Sequence, residues 1–228
     1  MYKILAIETA TEACSVALLH EGKILQRFEH RPQGQADLVL PMIDSLLTEA
    51  RLKTSGLDAI AYGRGPGSFT GLRIAAAVTQ GIAVATGLPV IPVSTLATVA
   101  QGVYREHGHT SVIAAIDARM QEIYWGCYRL KDGMMAPVGD EQVSPPREIA
   151  APVADEIWAG ACSGWRAYPE VLGSRLEKNI GAVYPEFWPQ AMHLLELAQP
   201  LWEGRNVIEA DTALPVYLRN NVAQPKAG

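Results

Sequence analysis

The sequence has few positive charges and few cysteines, and neither is clustered. Its 228 residues include 19 Lys and Arg against 24 Asp and Glu, which gives a formal net charge of −5. Because clustered Lys and Arg supply most of the affinity for nucleic acid by neutralising phosphates, strong independent binding to DNA or RNA is disfavoured. The three cysteines are odd in number and form no CxxC pair, which argues against a disulfide framework and favours the reduced cytoplasm.

The sequence also lacks the patterns of membrane spans, secretion signals, metal sites and hydrolase sites. The longest nearly apolar region, residues 74–93, is interrupted by polar residues, Gly and Pro, which predicts a helix followed by a strand. Residues 1–12 are too acidic for a signal peptide, and their apolar run is too short. The histidines occur without an HExxH or HxxxH pattern. We therefore expect no membrane association, no metal site and no catalytic residue.

An internal repeat organises the residues that are present. Residues 3–8 form an apolar run that ends at the carboxylate of Glu8, and two further strand-like runs follow with a Gly turn between them. Residues 111–117 end at Asp117 and are followed by the same order of alternating run and Gly turn. Two unrelated β-meanders are the alternative, but the matching order of strand, carboxylate, turn and glycine favours a duplicated unit.

Helical patterns follow the first meander. Apolar residues between positions 35 and 52 have the spacing of an amphipathic helix. A second helix is predicted over 68–86, with Ser68 as its N-cap and Gly87 as its stop. Ser94 is in position to cap a third helix that runs to about residue 105.

A meander that ends in an acidic turn, with helices behind it and the whole unit repeated, resembles the α/β fold of actin, Hsp70 and the sugar kinases (the ASKHA fold). That resemblance implies two lobes, each a mixed sheet flanked by helices. We assign residues 1–105 to an N-terminal lobe that carries the partner-binding helices. Residues 106–228 are assigned to a C-terminal lobe that holds the second, degenerate copy and a C-terminal segment.

The two hairpin turns are the first candidate site. In the ASKHA fold each such turn faces nucleotide phosphates, and a glycine lets backbone N–H groups approach the anion. Here Glu8 and Thr9 are followed by Ala10, and Asp117 is followed by Arg119 at the second glycine position. Both turns depart from the pattern, so independent ATP hydrolysis is not expected. Plain hairpin turns are as compatible with these residues as nucleotide contact is.

The glycine-rich segment 63–73 is the most distinctive part of the sequence. It follows an apolar strand and leads into a helix, so its backbone donors lie at a helix N-terminus, which suits an anion. It is neither a Walker A loop nor a nucleophile elbow, and a tight strand-to-helix connection is the competing interpretation. The candidate nucleotide or phosphate contacts are Glu8, Thr9, Gly65, Gly67 and Arg119.

The helices predicted at 35–52 and 68–86 have more apolar and small residues than one core requires. Leucines lie on more than one side of the first helix, and Ala and Gly make the second smooth on several faces. Such surplus apolar surface indicates a protein–protein interface. The candidate partner-binding residues are Leu38, Met42, Leu46, Ser68, Arg73, Ala75, Val78 and Ile82.

Four segments resemble the bacterial TsaB family, formerly called YeaZ: residues 4–9, 38–43, 65–73 and 215–219. The resemblance covers nearly the whole chain, and the string GPGSFTGLR is its most specific part. It implies the ASKHA fold and a paralogue of the catalytic subunit TsaD, without the HxxxH metal-binding pair that TsaD carries. Residues 30–37 depart from the family, because they lack the His-Ser-Glu string of many relatives.

The resemblance implies a non-catalytic subunit that pairs with a TsaD-like catalytic subunit through N-terminal helices, with a TsaE-like ATPase as a further partner. The complex transfers a threonylcarbamoyl group from an adenylate to N6 of adenosine 37 in tRNAs that read ANN codons. We expect tRNA contact only through the complex, and a homodimer when the partner is absent. No cofactor is expected to bind tightly to the chain alone, and ATP or ADP with Mg is assigned to the complex. The alternatives are an autonomous nucleotide-binding phosphotransferase or ATPase of the same fold, and direct tRNA binding.

Overall fold

Two mixed β-sheets form the framework of the computed structural model, which describes residues 2–153 and 155–219. The strands of the first sheet are β1 (Ile4–Glu8), β2 (Ala13–His20), β3 (Lys23–His30), β4 (Ala59–Gly65) and β5 (Val90–Ser94). Those of the second are β6 (Ser111–Arg119), β7 (Glu122–Lys131), β8 (Met134–Pro137), β9 (Gln142–Ser144), β10 (Trp158–Ala161) and β11 (Ile180–Tyr184). The α-helices of the described residues are α1 (Gln35–Glu49), α2 (Phe69–Thr86), α3 (Thr95–His107), α4 (Ser163–Ala167), α5 (Pro169–Arg175) and α6 (Ala191–Glu203).

The two sheets repeat one topology. The first has the order β3-β2-β1-β4-β5, in which β1 to β3 form an antiparallel meander, β4 runs parallel to β1, and β5 runs parallel to β4. The second has the order β8-β7-β6-β10-β11, again an antiparallel meander followed by two parallel strands, with β9 paired to β7. The predicted duplication is therefore confirmed, and with it the ASKHA-like fold of two mixed sheets flanked by helices.

Alternate residues of β1 pack against different helices, because successive side chains of a strand point to opposite faces. Leu5 and Ile7 pack with α1 and α2, whereas Ile4 and Ala6 pack with α6. α6 lies in the range 106–228 that the sequence assigned to the C-terminal lobe, yet it completes the core of the first sheet. α3 lies between the lobes, where it packs on α6 and β6.

Residues 208–219, called here the C-terminal segment, also return to the first lobe. The Tyr62 hydroxyl donates a hydrogen bond to the carbonyl oxygen of Leu214 at 2.9 Å. The Val216 N–H donates to the carbonyl oxygen of Arg64 at 2.8 Å. The segment therefore closes over the end of β4. The rest of the predicted C-terminal segment lies outside the described residues.

The helix ends follow the predicted caps. Ser68 is the N-cap of α2, where its hydroxyl oxygen accepts a hydrogen bond from the Gly71 N–H at 3.1 Å. Gly87 ends that helix with a φ of 71°, a left-handed conformation that glycine adopts freely. Ser94 caps α3 in the same way as Ser68 caps α2. α1 ends at Glu49, earlier than its amphipathic pattern predicted.

By length and composition alone α2 is apolar enough to cross a membrane, as core helices of globular proteins also are. A third of its residues is buried within this fold, among them Leu72, Ala76 and Ala83. The helix is therefore amphipathic with respect to the first sheet, and its other side faces outward with a largely apolar and small-residue surface.

Candidate functional site

A cleft of about 640 Å³ opens between the two lobes. Its walls come from the turn between β1 and β2, the turn between β6 and β7, and the first residues of α2 and α4. Its volume falls within the range of small-ligand sites, which makes it the first candidate site. The charged and aromatic side chains that line it are Glu12, Asp117, Arg119, Arg166, Arg219, Phe69, Tyr124, Trp188 and Tyr217.

Glu8, at the end of β1, is 1 % exposed and is engaged within the chain. Its Oε1 accepts a hydrogen bond from the Ala10 N–H at 2.8 Å, and its Oε2 accepts one from the Thr95 hydroxyl at 3.0 Å. Burial raises the pKa of Glu8 to about 7, although these hydrogen bonds oppose the shift. A Cβ on Gly63 would lie 2.0 Å from Oε2, so only glycine fits beside the carboxylate. Glu8 therefore links the first turn to the start of α3 and packs against β4.

The glycine-rich segment packs on the backbone of the first turn. The Ser68 N–H donates to the carbonyl oxygen of Ala10 at 2.7 Å, and the Thr9 hydroxyl donates to that of Gly71 at 2.7 Å. A Cβ on Gly67 would lie 2.3 Å from the Ala10 oxygen, and one on Gly71 would lie 1.9 Å from the Thr9 oxygen. These glycines allow two backbones of one chain to touch, as the interpretation as a tight strand-to-helix connection requires.

These contacts correct the predicted set of nucleotide or phosphate contacts. Glu8, Thr9 and Gly65 are buried and engaged within the chain, so they are packing positions. Gly65 has a φ of 102° and lies against the C-terminal segment. Of the predicted set, Gly67 and Arg119 line the cleft, and Gly67 is itself buried against the first turn.

The second turn keeps a left-handed backbone without glycine. Arg119, Met120 and Gln121 have φ values of 60°, 54° and 61°, in a region that costs a non-glycine residue roughly 1–2 kcal/mol. The Arg119 side chain is 77 % exposed, and its Nη1 lies 3.2 Å from Oδ2 of Asp117. Its Nη2 lies 3.8 Å from Oε1 of Glu12. The residue at the glycine position is thus an exposed cation that already has carboxylate partners.

Glu12 joins the lobes across the cleft. Its Oε2 accepts a hydrogen bond from Nη2 of Arg166 at 2.8 Å, while Arg119 approaches its other oxygen. Partial burial would raise the pKa of Glu12, but the hydrogen bond and charge of Arg166, together with the charge of Arg119, outweigh it and lower the pKa. Arg219 pairs with Glu122. Each of the three arginines that line the cleft therefore has a carboxylate partner among the described residues.

Among residues 2–153 and 155–219, potential metal ligands are not clustered and the cysteine thiols are buried. No group of three or more His, Cys, Asp and Glu side chains in these ranges is placed to hold a metal ion. Cys14, Cys127 and Cys162 are buried, and burial raises the pKa of each thiol to about 12. None of the three is therefore a thiolate at neutral pH.

The second candidate site is the outer side of α1 and α2, called here the α1–α2 face. The two helices pack side by side on one face of the first sheet, so their exposed sides face the same way. Leu40 is 56 % exposed, Phe69 47 % and Val84 72 %, so three large apolar side chains of these two helices reach the solvent. The exposed residues that define the face are Leu40, Phe69, Arg73, Ala77, Gly81 and Val84.

The predicted partner-binding residues differ in exposure. Ser68 and Arg73 are exposed at the start of α2. Leu46 and Ala75 are 0 % exposed and lie in the core beneath the two helices, so the prediction is corrected for these two: neither can touch a partner. The half-buried members, which pack on that core from the outer layer, are Leu38, Met42, Val78 and Ile82.

Phe69 and Val84 are exposed residues of α2 that the sequence prediction did not include. The buried residues of this helix, Leu72, Ala76 and Ala83 among them, recur at helical spacing. Large apolar residues that fall outside such a stripe face outward. Their position outside the helical pattern of buried residues is the sequence signal that could have identified Phe69 and Val84 as exposed.

Phe69, Arg73 and Tyr217 form an exposed cluster where the N-terminal end of the face meets the rim of the cleft. The guanidinium carbon of Arg73 lies 3.7 Å from the centre of the Phe69 ring. The ring centres of Phe69 and Tyr217 are 5.7 Å apart, and Nε of Arg73 donates to the Tyr217 hydroxyl at 3.4 Å. The cluster therefore joins α2 to the C-terminal segment.

Comparisons with known proteins agree with this fold and these motifs. Residues 33–168 match the family model described as TsaD, tRNA N6-adenosine threonylcarbamoyltransferase. The chain is 42 % identical to the tRNA threonylcarbamoyladenosine biosynthesis protein TsaB of Escherichia coli K12, over 98 % of this chain and 97 % of that protein. It is 37 % identical to the TsaB of Haemophilus influenzae Rd, over 98 % and 96 %. A crystal structure of a Pseudomonas aeruginosa protein similar to peptidase YeaZ superposes with a TM-score of 0.90 at 49 % identity, over 96 % of this chain and 100 % of that one.

Proposed function

Because this chain belongs to the TsaB family of tRNA threonylcarbamoyladenosine biosynthesis proteins, we propose that it is a non-catalytic subunit of a tRNA-modifying complex. Its partner is a catalytic subunit of the TsaD type, which it binds through the α1–α2 face. A TsaE-type ATPase is a further partner. The complex transfers a threonylcarbamoyl group to N6 of adenosine 37 in tRNAs that read ANN codons, and this chain contacts tRNA only as part of it.

The α1–α2 face is the observation that carries the proposal. Leu40 and Val84 are large apolar side chains that are more than half exposed on neighbouring helices. Between such side chains, Ala77 and Gly81 leave a low surface, and a Cβ on Gly81 would meet no atom within 4 Å. A partner's backbone can therefore come close to α2. An apolar centre of this kind is typical of interfaces that bury roughly 800 Å² on each partner.

The cleft supports the non-catalytic part of the proposal. The Glu8 carboxylate is buried and hydrogen-bonded within the chain, and Arg119 and Arg166 are paired with Glu12. These pairs support the proposal that the chain alone binds no cofactor tightly and that ATP or ADP with Mg belongs to the complex. The protein acts in the cytoplasm without a membrane, and it forms a homodimer through the same face when the partner is absent.

Isothermal titration of the chain with the TsaD-type subunit of the same organism tests the proposal. Ala77→Glu places a charge on the exposed face, and we expect it to weaken pairing at least about 100-fold, because the charge would be buried without a partner. Ala77 is used rather than the predicted partner-binding residue Ala75, whose burial would confound folding with binding. Ala167→Glu is the matched control, because Ala167 is also exposed and helical but lies in α4.

The two alternatives predict different results from the same protein. Normal pairing by a folded Ala77→Glu variant would contradict the proposed surface. Micromolar ATP binding by the isolated chain, measured by the same calorimetry, would favour an autonomous phosphotransferase. A gel shift of tRNA by the isolated chain at physiological salt would favour direct tRNA binding.

A further inference from the structure

Arg73 differs from the arginines of the cleft because it has no carboxylate partner. Within residues 2–153 and 155–219, no Asp or Glu side chain lies at ion-pair distance from it. Its contacts there are the ring of Phe69, on which its guanidinium lies, and the hydroxyl of Tyr217. The hydroxyl oxygen accepts the hydrogen bond from the Nε–H. The terminal nitrogens Nη1 and Nη2 have no hydrogen-bond partner among the described residues. Arg73 is thus a cation on the apolar α1–α2 face whose terminal nitrogens are available to another molecule.

The cluster holds this guanidinium in place before any partner arrives. Stacking on Phe69 and the hydrogen bond to Tyr217 both restrict the Arg73 side chain, which reduces the conformational entropy lost on binding. A planar guanidinium with two free terminal nitrogens matches the two oxygens of a carboxylate. Arginine packed with aromatic rings is also the composition of interface hot spots.

We propose that Arg73 anchors the α1–α2 face and forms a two-point ion pair with an Asp or Glu side chain of the partner protein, an inference that rests on the function proposed above. The partner surface then presents a carboxylate to Arg73 and apolar groups to Leu40 and Val84. A protein is favoured over RNA, because RNA binding requires several unpaired cations, whereas the exposed leucine and valine call for an apolar surface. The overall charge of −5 argues in the same direction.

Titration of the full-length chain with the TsaD-type subunit tests the inference. We expect Arg73→Glu to weaken pairing at least about 100-fold and Arg73→Ala about 10- to 100-fold. Arg73→Lys should fall between the wild type and Arg73→Ala, because an ammonium keeps the charge but cannot form two parallel bonds to a carboxylate. Arg147→Glu is the matched control: Arg147 is exposed outside α1 and α2, and its reversal changes the net charge equally. Its pairing is expected to be unchanged.

Charge reversal on the partner gives a readout that lost packing cannot produce. Asp or Glu residues of the TsaD-type interface are changed singly to Arg and titrated with folded Arg73→Glu. One such change is expected to restore affinity at least about 10-fold, which identifies the ion pair. Rescue by none of them would exclude a carboxylate as the partner of Arg73.

The failures of the two proposals are distinguishable. Normal pairing by Arg73→Glu together with loss of pairing by Ala77→Glu would overturn the role of Arg73 and leave the proposed function standing. Normal pairing by both variants would overturn both. Loss of tRNA retention by Arg73→Glu in a gel shift, with protein pairing intact, would assign Arg73 to RNA and overturn the inference.

Discussion

The cleft and the α1–α2 face contain similar residue types in opposite states. In the cleft, Arg166 is paired with Glu12, and this pair joins the two lobes. On the face, Arg73 has no carboxylate partner among the described residues, and Leu40 and Val84 are more than half exposed. Groups that are already paired within a chain gain little from a ligand, whereas exposed apolar and unpaired charged groups gain from burial and pairing. The charged residues of the cleft thus join the two lobes, whereas the α1–α2 face keeps exposed apolar groups and a cation without a carboxylate partner among the described residues.

Two glycines of one helix show the same contrast. Gly71, at the cleft end of α2, touches the backbone of the first turn, whereas a Cβ on Gly81 would meet no atom within 4 Å. The first glycine is required by a contact within the chain. The second has open space where a side chain would lie. Substitutions at these and neighbouring positions test whether the two regions differ in this way.

Gly71→Ala is expected to have the largest effect, because it breaks the contact on the cleft side. The new Cβ would lie 1.9 Å from the carbonyl oxygen of Thr9, a backbone atom that moves only if the first turn moves. We expect the free energy of unfolding to fall by roughly 3 kcal/mol or more. Urea unfolding at neutral pH measures this loss. A loss below about 1 kcal/mol would show that the two backbones are not held together.

Glu8→Gln is expected to have the next largest effect on the free energy of unfolding, and the size of that effect depends on pH. Burial raises the pKa of Glu8 from 4.5 to about 7, so the folded protein binds this proton more tightly than the unfolded chain does. The resulting stability is fully present below pH 4.5 and is lost as the pH rises through about 7. This shift in the pKa of Glu8 corresponds to at most about 3 kcal/mol in the free energy of unfolding.

Urea unfolding of the wild type and of Glu8→Gln between about pH 5 and pH 8 measures this effect. We expect the free energy of unfolding to fall with pH in the wild type and to stay nearly level in the variant. Glu12 does not obscure the comparison, because its pKa is lowered. Its contribution is present above its unfolded pKa and is lost only as the pH falls further. Parallel curves for the two proteins would contradict the raised pKa of Glu8.

Arg119→Val and Arg119→Gly test the left-handed turn on the other side of the cleft. Arg119 has a φ of 60°, a conformation that β-branched residues adopt poorly, so valine is expected to cost about 1–2 kcal/mol. Glycine adopts this φ freely, which offsets the exposed ion pairs that are lost, and stability should change by less than about 0.5 kcal/mol. Thermal melting compares the two variants. Equal melting temperatures would contradict the strained turn.

Gly81→Ala is expected to have the smallest effect and the opposite sign. The position is helical and exposed, and an added Cβ would meet open space. Alanine favours the helix over glycine, so we expect a gain of about 0.5–1 kcal/mol in the free energy of unfolding. Thermal melting of Gly81→Ala and Gly71→Ala measures the expected gain of stability at one position of α2 and the expected loss at the other. A loss of stability in Gly81→Ala would contradict the expectation that position 81, unlike position 71, has room for a side chain.

The duplicated fold was predictable because it depends on signals that are local in the chain. Alternation along the strands, the caps Ser68 and Ser94, and the stop at Gly87 each involve residues a few positions apart. Which residues of the candidate sites are buried, paired or exposed was not predictable in the same way. The bond from Thr95 to Glu8 joins residues far apart in sequence, and no local pattern of either segment requires it.

The two misassigned residues of the α1–α2 face have a similar explanation. Periodicity identifies apolar positions, but α1 and α2 carry apolar residues on several sides. Leu46 and Ala75 lie on the side that packs against the first sheet, and Leu40 and Val84 do not. Which side faces the sheet is decided by packing between elements. The cluster of Arg73 could not be predicted either, because its Tyr217 comes from the distant C-terminal segment.

The position of α6 has a consequence for the synthesis of the protein. All strands of the first sheet are present once residue 94 has been made, but one face of that sheet is covered by α6, which begins at Ala191. During translation this apolar face stays open to water and to other nascent chains until most of the polypeptide has left the ribosome. The N-terminal lobe therefore cannot mature first, and a chain that stops before Ala191 exposes a surface that promotes aggregation and recognition by chaperones.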